Sequence, residues 1–210
     1  QHRFGVHQRL MLADKGSAVD MLVMTATPIP RTLMLCAYSD LDSSRLLEKP
    51  GNRKPVETRV LPLSKIDQVI TRLKQVLKGN SQVFWVCPLI EESDLINLAA
   101  ATNRYDDLKQ HFSDQVGLIH GQMKSPEKQK IMNSFLECKI KILVSTTVIE
   151  VGVDIPNANI MVIEHAERFG LSQIHQLRGR VGRGKTSSSC LLLYASPLTS
   201  NSKARLNILR

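Results

Sequence analysis

The feature that most constrains this chain is a set of short apolar runs separated by stretches with helical spacing. Residues 82–87, 116–119, 140–145, 159–164 and 189–195 are short, mostly apolar and rich in β-branched residues or leucine, and 56–62 is a short mixed run with Val56, Thr58, Val60 and Leu61; each is read as a strand. Between them the spacing predicts a helix over 65–78, with Ser64 as N-cap and Gly79 just past its end. A longer helix is expected from about 92 to 112, and another with Ser125 as N-cap and Pro126 at its first position. Leu171, Ile174 and Leu177 recur at helical spacing and predict a helix over 171–178. Strands that alternate with helices in this way predict an α/β fold, a parallel sheet with helices on both faces, whose ligands bind beyond the carboxyl ends of the strands.

A similar unit opens the chain: a strand over 19–24, then Thr25-Ala-Thr27, then a helix from about Arg31 to Tyr38. The stretch Glu48–Pro55 holds two prolines, a glycine and three basic residues and lacks apolar periodicity. It reads as a linker, so the expected organisation is 1–47, a linker at 48–55, and a second domain over 56–210. A length of 210 residues suits one full domain plus part of another, and with only 4% aromatic residues the core must be aliphatic. The formal net charge of +9 favours a polyanionic partner such as nucleic acid, although solubility also accounts for part of it. Cys36, Cys87, Cys138 and Cys190 are scattered without C-x-x-C pairing, as expected of thiols in a reducing cytoplasm. The six histidines show no ligand spacing, so no metal site is expected, and neither a membrane span nor a signal peptide is read.

Gln176–Thr186 fits two patterns that exclude each other. The letters Gly179-x-x-x-x-Gly184-Lys185-Thr186 match a phosphate-binding P-loop. A working P-loop runs from a strand into a helix whose N-terminus faces the anion, whereas here a predicted helix precedes the turn and a predicted strand follows it. In the other reading, Arg180 and Arg183 reach a phosphate, and Gly179, Gly182 and Gly184 keep the turn free of side chains that would hold it away. Guanidinium groups stay charged and offer forked donors, so they suit charge developing on a transferring phosphoryl group. A basic turn that contacts nucleic acid is the plain alternative.

Other distinctive segments follow predicted strands. Thr25-Ala-Thr27 follows 19–24, His120-Gly121 follows 116–119, and Thr146–Asp154 follows 140–145. Thr146 and Thr147 have hydroxyls for phosphate oxygens, Gly152 permits close backbone approach, and Asp154 has an acceptor for a ribose hydroxyl. Ordinary turn chemistry remains an alternative for each. His120 also fits a strand-end cap, and Trp85, within an apolar run, reads as a core residue ahead of a base-stacking platform.

Taken in order, these segments resemble the late motifs of superfamily 2 helicases: Thr25-Ala-Thr27 motif III, Val83–Pro88 motif IV, His120-Gly121 motif IVa, Thr146–Asp154 motif V and Gln176–Arg183 motif VI. Within the superfamily, Gln1–Arg9, Met24–Leu33, Pro88–Ser93 and Glu167–Arg183 are similar to the RecG-type branched-DNA helicases. Transcription-repair coupling factors share much of the wording of motifs III and VI. The opening Gln1-His2, Pro88–Ser93 and Cys190–Tyr194 favour the RecG type.

The resemblance implies a RecA-like second helicase lobe preceded by the tail of a first lobe. It implies an ATP-dependent DNA helicase, a cytoplasmic bacterial enzyme that remodels stalled forks and Holliday junctions in DNA repair and recombination. ATP with Mg²⁺ would be held mainly by the first lobe. Arg180 and Arg183 would contact the γ-phosphate, Gln176 would couple to that lobe, and Gly152 with Asp154 would line the sugar side of the nucleotide. Thr146, Thr147, His120 and Gly121 would hold the DNA backbone, with Thr25 and Thr27 coupling the two sites. The motif II acidic pair, the P-loop and the fork-gripping wedge domain are expected outside this chain, leaving the 210 residues inactive alone. An inactive DNA-binding lobe and a small P-loop enzyme using Lys185 and Thr186 are the competing readings; the last requires a helix after Gly184.

Overall fold

The computed structural model describes residues 54–88, 94–146, 155–184 and 186–210, together with Met11, Leu22, Met24, Ser44 and Leu46. The chain divides into two compact units, Gln1–Leu47 and Glu48–Arg210. The expected strand 19–24 except Leu22 and Met24, the helix 31–38, Thr25 and Thr27 lie outside the described residues, as do Cys36, Leu89–Ser93, Thr147–Asp154 and Lys185.

In the second unit the alternation of apolar runs and helices gives β1 (Val56–Pro62), α1 (Ile66–Val76), β2 (Gln82–Val86), α2 (Asp94–Phe112), β3 (Val116–Ile119), α3 (Ser125–Leu136), β4 (Ile142–Ser145), β5 (Ala158–Ile163), α4 (Leu171–Arg178), β6 (Ser188–Tyr194) and α5 (Ser200–Ile208). The six strands form one sheet in the order β1-β6-β5-β2-β4-β3, and every pairing is parallel.

The period of two along each central strand sends alternate side chains to opposite faces. On β2, Val83 and Trp85 join the core under α1 and α2, while Phe84 and Val86 join the core under α3, α4 and α5. Met161 and Ile163 of β5 likewise face one side, and Ile160 and Val162 the other. A strand buried on both faces cannot alternate with polar residues, so these runs read as continuously apolar. On α1, Val69, Ile70, Leu73 and Leu77 fall on one stripe and are all buried. Each such side chain contributes about 1.5–3 kcal/mol by leaving water.

Helix entries differ from the sequence expectation. Ser64 lies within a 3₁₀ turn, Leu63–Lys65, and α1 begins at Ile66 with Lys65 at its N-cap and no capping side chain. Lys124, in extended conformation, is the N-cap of α3, so Ser125 is the first helical residue and Pro126 the second. The 3₁₀ turn and the extended lysine each lead the chain into its helix without a side-chain cap. α1 ends at Val76, and the Gly79 N–H donates to Val76 O at 3.3 Å in the turn that follows. Helix α5 was not foreseen; its N-cap Thr199 accepts from the Ser202 N–H at 3.2 Å.

Candidate functional site: two edges of one sheet

Parallel register sets the carboxyl ends of four strands level. Ile119 of β3 and Val86 of β2 both pair with Ser145 of β4, and Val86 also pairs with Ile163 of β5. The residues immediately beyond them therefore form a row: Glu164, Cys87, Thr146 and His120. The row is held by Cys87 N–H donating to Ser145 O at 2.8 Å and Glu164 N–H donating to Val86 O at 2.9 Å.

At one end of the row His120 is half-buried, and its Nδ1 is enclosed without a hydrogen-bond partner, as is Ser145 Oγ nearby in the sheet. Burial first, and then the Lys128 charge, hold the His120 imidazole below its ordinary pKa, so it is neutral at pH 7. Lys128 reaches from the first turns of α3 and donates to Gly121 O at 3.1 Å. A Cβ on Gly121 would meet nothing within 4 Å, so open space lies beside this backbone. Thr146 is buried.

At the other end lies a network that the sequence reading did not single out. Trp85 Nε1 donates to Glu164 Oε1 at 2.5 Å, and Arg104 of α2 donates through Nε to the same oxygen at 2.6 Å and through Nη1 to Asp107 Oδ2 at 2.5 Å. The Arg104 guanidinium also lies 5.8 Å from the Trp85 ring centroid. Trp85 is fully enclosed, so it belongs to the core. The only sequence signal for this pair was a carboxylate ending an apolar strand. Because α2 leaves β2 in one direction across the sheet and α4 leaves β5 in the other, the β2–β5 boundary is the topological switch point. The crevice there, ≈ 280 Å³, takes its polar lining from Asn103, His165 and this ion pair. Burial drives the thiol pKa of Cys87 in the same crevice strongly upward.

The arginine segment is elsewhere. Helix α4 leaves the carboxyl end of β5 and runs back along the sheet, so the turn after it arrives at the amino ends of the strands. Gly182, at φ 80°, packs so closely that a Cβ would come within 2.9 Å of Val56 Cγ2, at the start of β1. A Cβ on Gly184 would come within 2.5 Å of Pro156 O, just before β5. Gly182 and Gly184 thus serve the turn's own packing, where the sequence expectation had them make room for a phosphate. Val181, 3% exposed, anchors the turn in the core. Arg180 and Arg183 flank that anchor, with Arg183 Nε donating to Gly179 O at 3.4 Å. Among the described residues, no hydrogen bond holds the Arg180 guanidinium. Its pKa is lowered by burial and then by the Arg183 charge. Gln176, exposed on α4, precedes Arg180 by one helical turn.

The structure thus separates the expected site residues: His120, Gly121 and Thr146 at the carboxyl edge, Gln176, Arg180 and Arg183 on the way to or at the amino edge. The strand Ser188–Tyr194 follows Gly184 where a P-loop needs a helix, which excludes the P-loop reading of Gly179–Thr186.

Residues 65–185 match the family model for the helicase conserved C-terminal domain. The chain belongs to the helicase conserved C-terminal domain family. Its fold is a RecA-like helicase lobe. Along its whole length it is 52% identical to the ATP-dependent DNA helicase RecG of Acidithiobacillus ferridurans, of which it spans 31%. A solved structure of RecG bound to a three-way DNA junction superposes with a TM-score of 0.79 at 44% identity, over 99% of this chain and 26% of that one. The match is to the C-terminal helicase portion of RecG. Dbp5 from S. cerevisiae bound to RNA and ADP BeF3 shares the fold, with a TM-score of 0.63 at 18% identity over 88% of this chain and 46% of that one. The helicase conserved C-terminal domain therefore comes with a RecG-like sequence on this chain. Among the described residues, no helix is long and apolar enough to cross a membrane.

Proposed function

We propose that this chain supplies the arginine-bearing lobe of an ATP-dependent DNA helicase that acts on branched DNA, including stalled forks and Holliday junctions, in DNA repair and recombination. The observation that carries the reading is the 44% identity, across nearly the whole chain, to a RecG whose solved structure holds a three-way DNA junction. The relatives are much longer than this chain, so ATP turnover and junction remodelling belong to a protein in which this lobe works with a nucleotide-holding partner lobe.

In this reading ATP is the substrate and meets the amino edge. The residues present there fit an anion: Arg180 is partly desolvated and, among the described residues, its guanidinium makes no hydrogen bond, and Arg183 lies three residues on across a turn fixed by Val181. Positive charge held in place before the reaction stabilises the phosphoryl group as negative charge spreads over its oxygens, an effect of about 10³–10⁵ in rate for an arginine finger. Gly152 and Asp154, by the family resemblance, are assigned to the sugar side of the nucleotide; in sequence they shortly precede Pro156, whose carbonyl lies against Gly184. Gln176 couples this edge to the partner lobe. Mg²⁺ would be held by that partner lobe, as the family resemblance implies.

DNA lies on the carboxyl edge, where the open backbone at His120 and Gly121, with Thr146 and Thr147, takes phosphates without reading bases. Thr25 and Thr27 couple the two events. Separate edges allow closure on ATP to alter the grip on DNA without the two ligands competing for one surface. The test is Mg²⁺-dependent ATP hydrolysis with branched DNA by a full-length helicase carrying this sequence. Turnover that falls in Arg183→Ala and persists in Lys185→Ala supports the reading. Turnover that survives Arg183→Ala and is lost in Lys185→Ala sinks it.

A further inference from the structure

Arg178 ends α4, immediately before the turn that carries Arg180 and Arg183, and its partly buried guanidinium bonds within the protein. Nη1 donates to Thr58 Oγ1 of β1 at 3.3 Å and to Leu209 O, at the end of α5, at 3.2 Å, while Nη2 lies 3.0 Å from His175 Nδ1. Thr58 and Leu209 are buried, at 7% and 3% exposure. We propose that Arg178 is a positioning residue: by forking between β1 and the end of α5 it fixes the angle at which α4 delivers the Gly179–Gly184 turn, and so the reach of Arg180 and Arg183.

The other contacts of the turn limit its depth rather than its angle. Val181 is held by apolar packing, and Gly182 and Gly184 by close approach to Val56 and Pro156. Apolar contacts are non-directional, whereas a planar guanidinium whose Nη1 donates to acceptors on two separate elements defines an orientation. A guanidinium also complements the unpaired carbonyls at a helix C-terminus, which is where Leu209 O lies. The 3₁₀ turn Ala166–Arg168 that leads into α4 is tied to α5 in the same manner: Arg205 Nη2 donates to Glu167 O at 2.5 Å. The segment from this turn to the end of α4 is therefore bonded to α5 and its end by one arginine-to-carbonyl contact in each direction.

This inference rests on the reading of Arg180 and Arg183 as the residues that reach ATP. It is tested in the full-length helicase carrying this sequence, with Arg178→Ala, Arg178→Lys and Thr58→Val beside Arg183→Ala. A misplacement of reacting groups by about 1 Å costs on the order of 10²-fold in rate. The expected result for Arg178→Ala is a kcat lower by about 10- to 100-fold, with KM for ATP and the salt dependence of DNA binding unchanged. Arg178→Lys recovers part of the loss, and Thr58→Val, which keeps the shape of the core, gives a smaller loss in the same direction. Added to a variant that lacks both arginines, Arg180→Ala with Arg183→Ala, Arg178→Ala lowers the residual turnover no further, because it acts only through them. Wild-type kcat in both Arg178→Ala and Thr58→Val, with turnover lost in Arg183→Ala, overturns this inference alone. So does a loss that multiplies with that of the variant lacking both Arg180 and Arg183. Wild-type kcat in Arg183→Ala overturns the underlying reading and this inference with it. Should Arg178→Ala fail to fold, Thr58→Val decides.

Discussion

The two edges of the sheet are built differently. The carboxyl edge is a row of strand ends: backbone groups set level by register, with an ion pair at one end and an enclosed, unpartnered imidazole nitrogen at the other. The amino edge carries a single turn, wedged between Val56 and Pro156, that presents two arginines. A level row of backbone suits a repeating polyanion, which needs many weak contacts and no sequence reading. A single rigid turn suits one phosphoryl group, where charge must already be in position.

The comparison breaks most sharply at Arg183. In the full-length helicase carrying this sequence, Arg183→Ala should lower kcat about 10³-fold or more while DNA affinity changes little; steady-state ATPase and anisotropy measured on the same samples check both halves. Next in size is Arg104→Ala at the carboxyl edge. It leaves Glu164 buried without its cation, and the side chains are only 21% and 8% exposed. A stability loss of about 3–5 kcal/mol is expected, read by urea unfolding of this chain, and a loss below about 1 kcal/mol would refute the buried-pair account. Gly184→Ala pushes a methyl group against the Pro156 carbonyl and should cost about 1–3 kcal/mol, with hydrogen exchange rising first in Arg180–Arg183. The corresponding change at Gly121, where a Cβ meets open space, should leave stability almost unaltered. His120→Ala is expected to weaken DNA binding about threefold to tenfold without changing KM for ATP.

The smallest effect is in pH. The imidazoles of His120 and His175 have pKa values lowered in the fold, by burial first and then by Lys128 and Arg178 respectively. Below a pH of about 6.5 the unfolded chain binds protons that the folded chain resists. The stability contributed by these two groups is thus complete above that pH and declines as pH falls through it. NMR titration should also find the His120 pKa higher in Lys128→Ala, still short of the ordinary value because burial remains. An unchanged or lower value would remove Lys128 as a cause.

Much of the fold could be read from residue patterns, because strands buried on both faces are continuous apolar runs and helices carry stripes. Strand Val116–Ile119 and helix Leu171–Arg178 are bounded as expected. Helix α5 escaped because Ser200–Ile208 is mostly polar and buries only Leu206; the usable signal was the cap, Thr199 with Ser202 three residues on. The serines at 64 and 125 misled because the chain enters those helices through a 3₁₀ turn and an extended lysine. For the site, the residue types pointed to phosphate chemistry, yet the division into two edges went unread. The information was present: a helix that follows one parallel strand and precedes another must end at the amino edge. The Arg104–Glu164–Trp85 network was not legible, since its members are distant in sequence and each has an ordinary surface or core reading alone.

The central claim is that DNA and nucleotide address opposite edges, and amide-resolved NMR of this chain titrated with a three-way DNA junction tests it most directly. The account predicts salt-sensitive shifts at His120, Gly121 and Thr146 with Gly179–Gly184 unmoved; shifts concentrated at Gly179–Gly184, with the carboxyl edge silent, would contradict it.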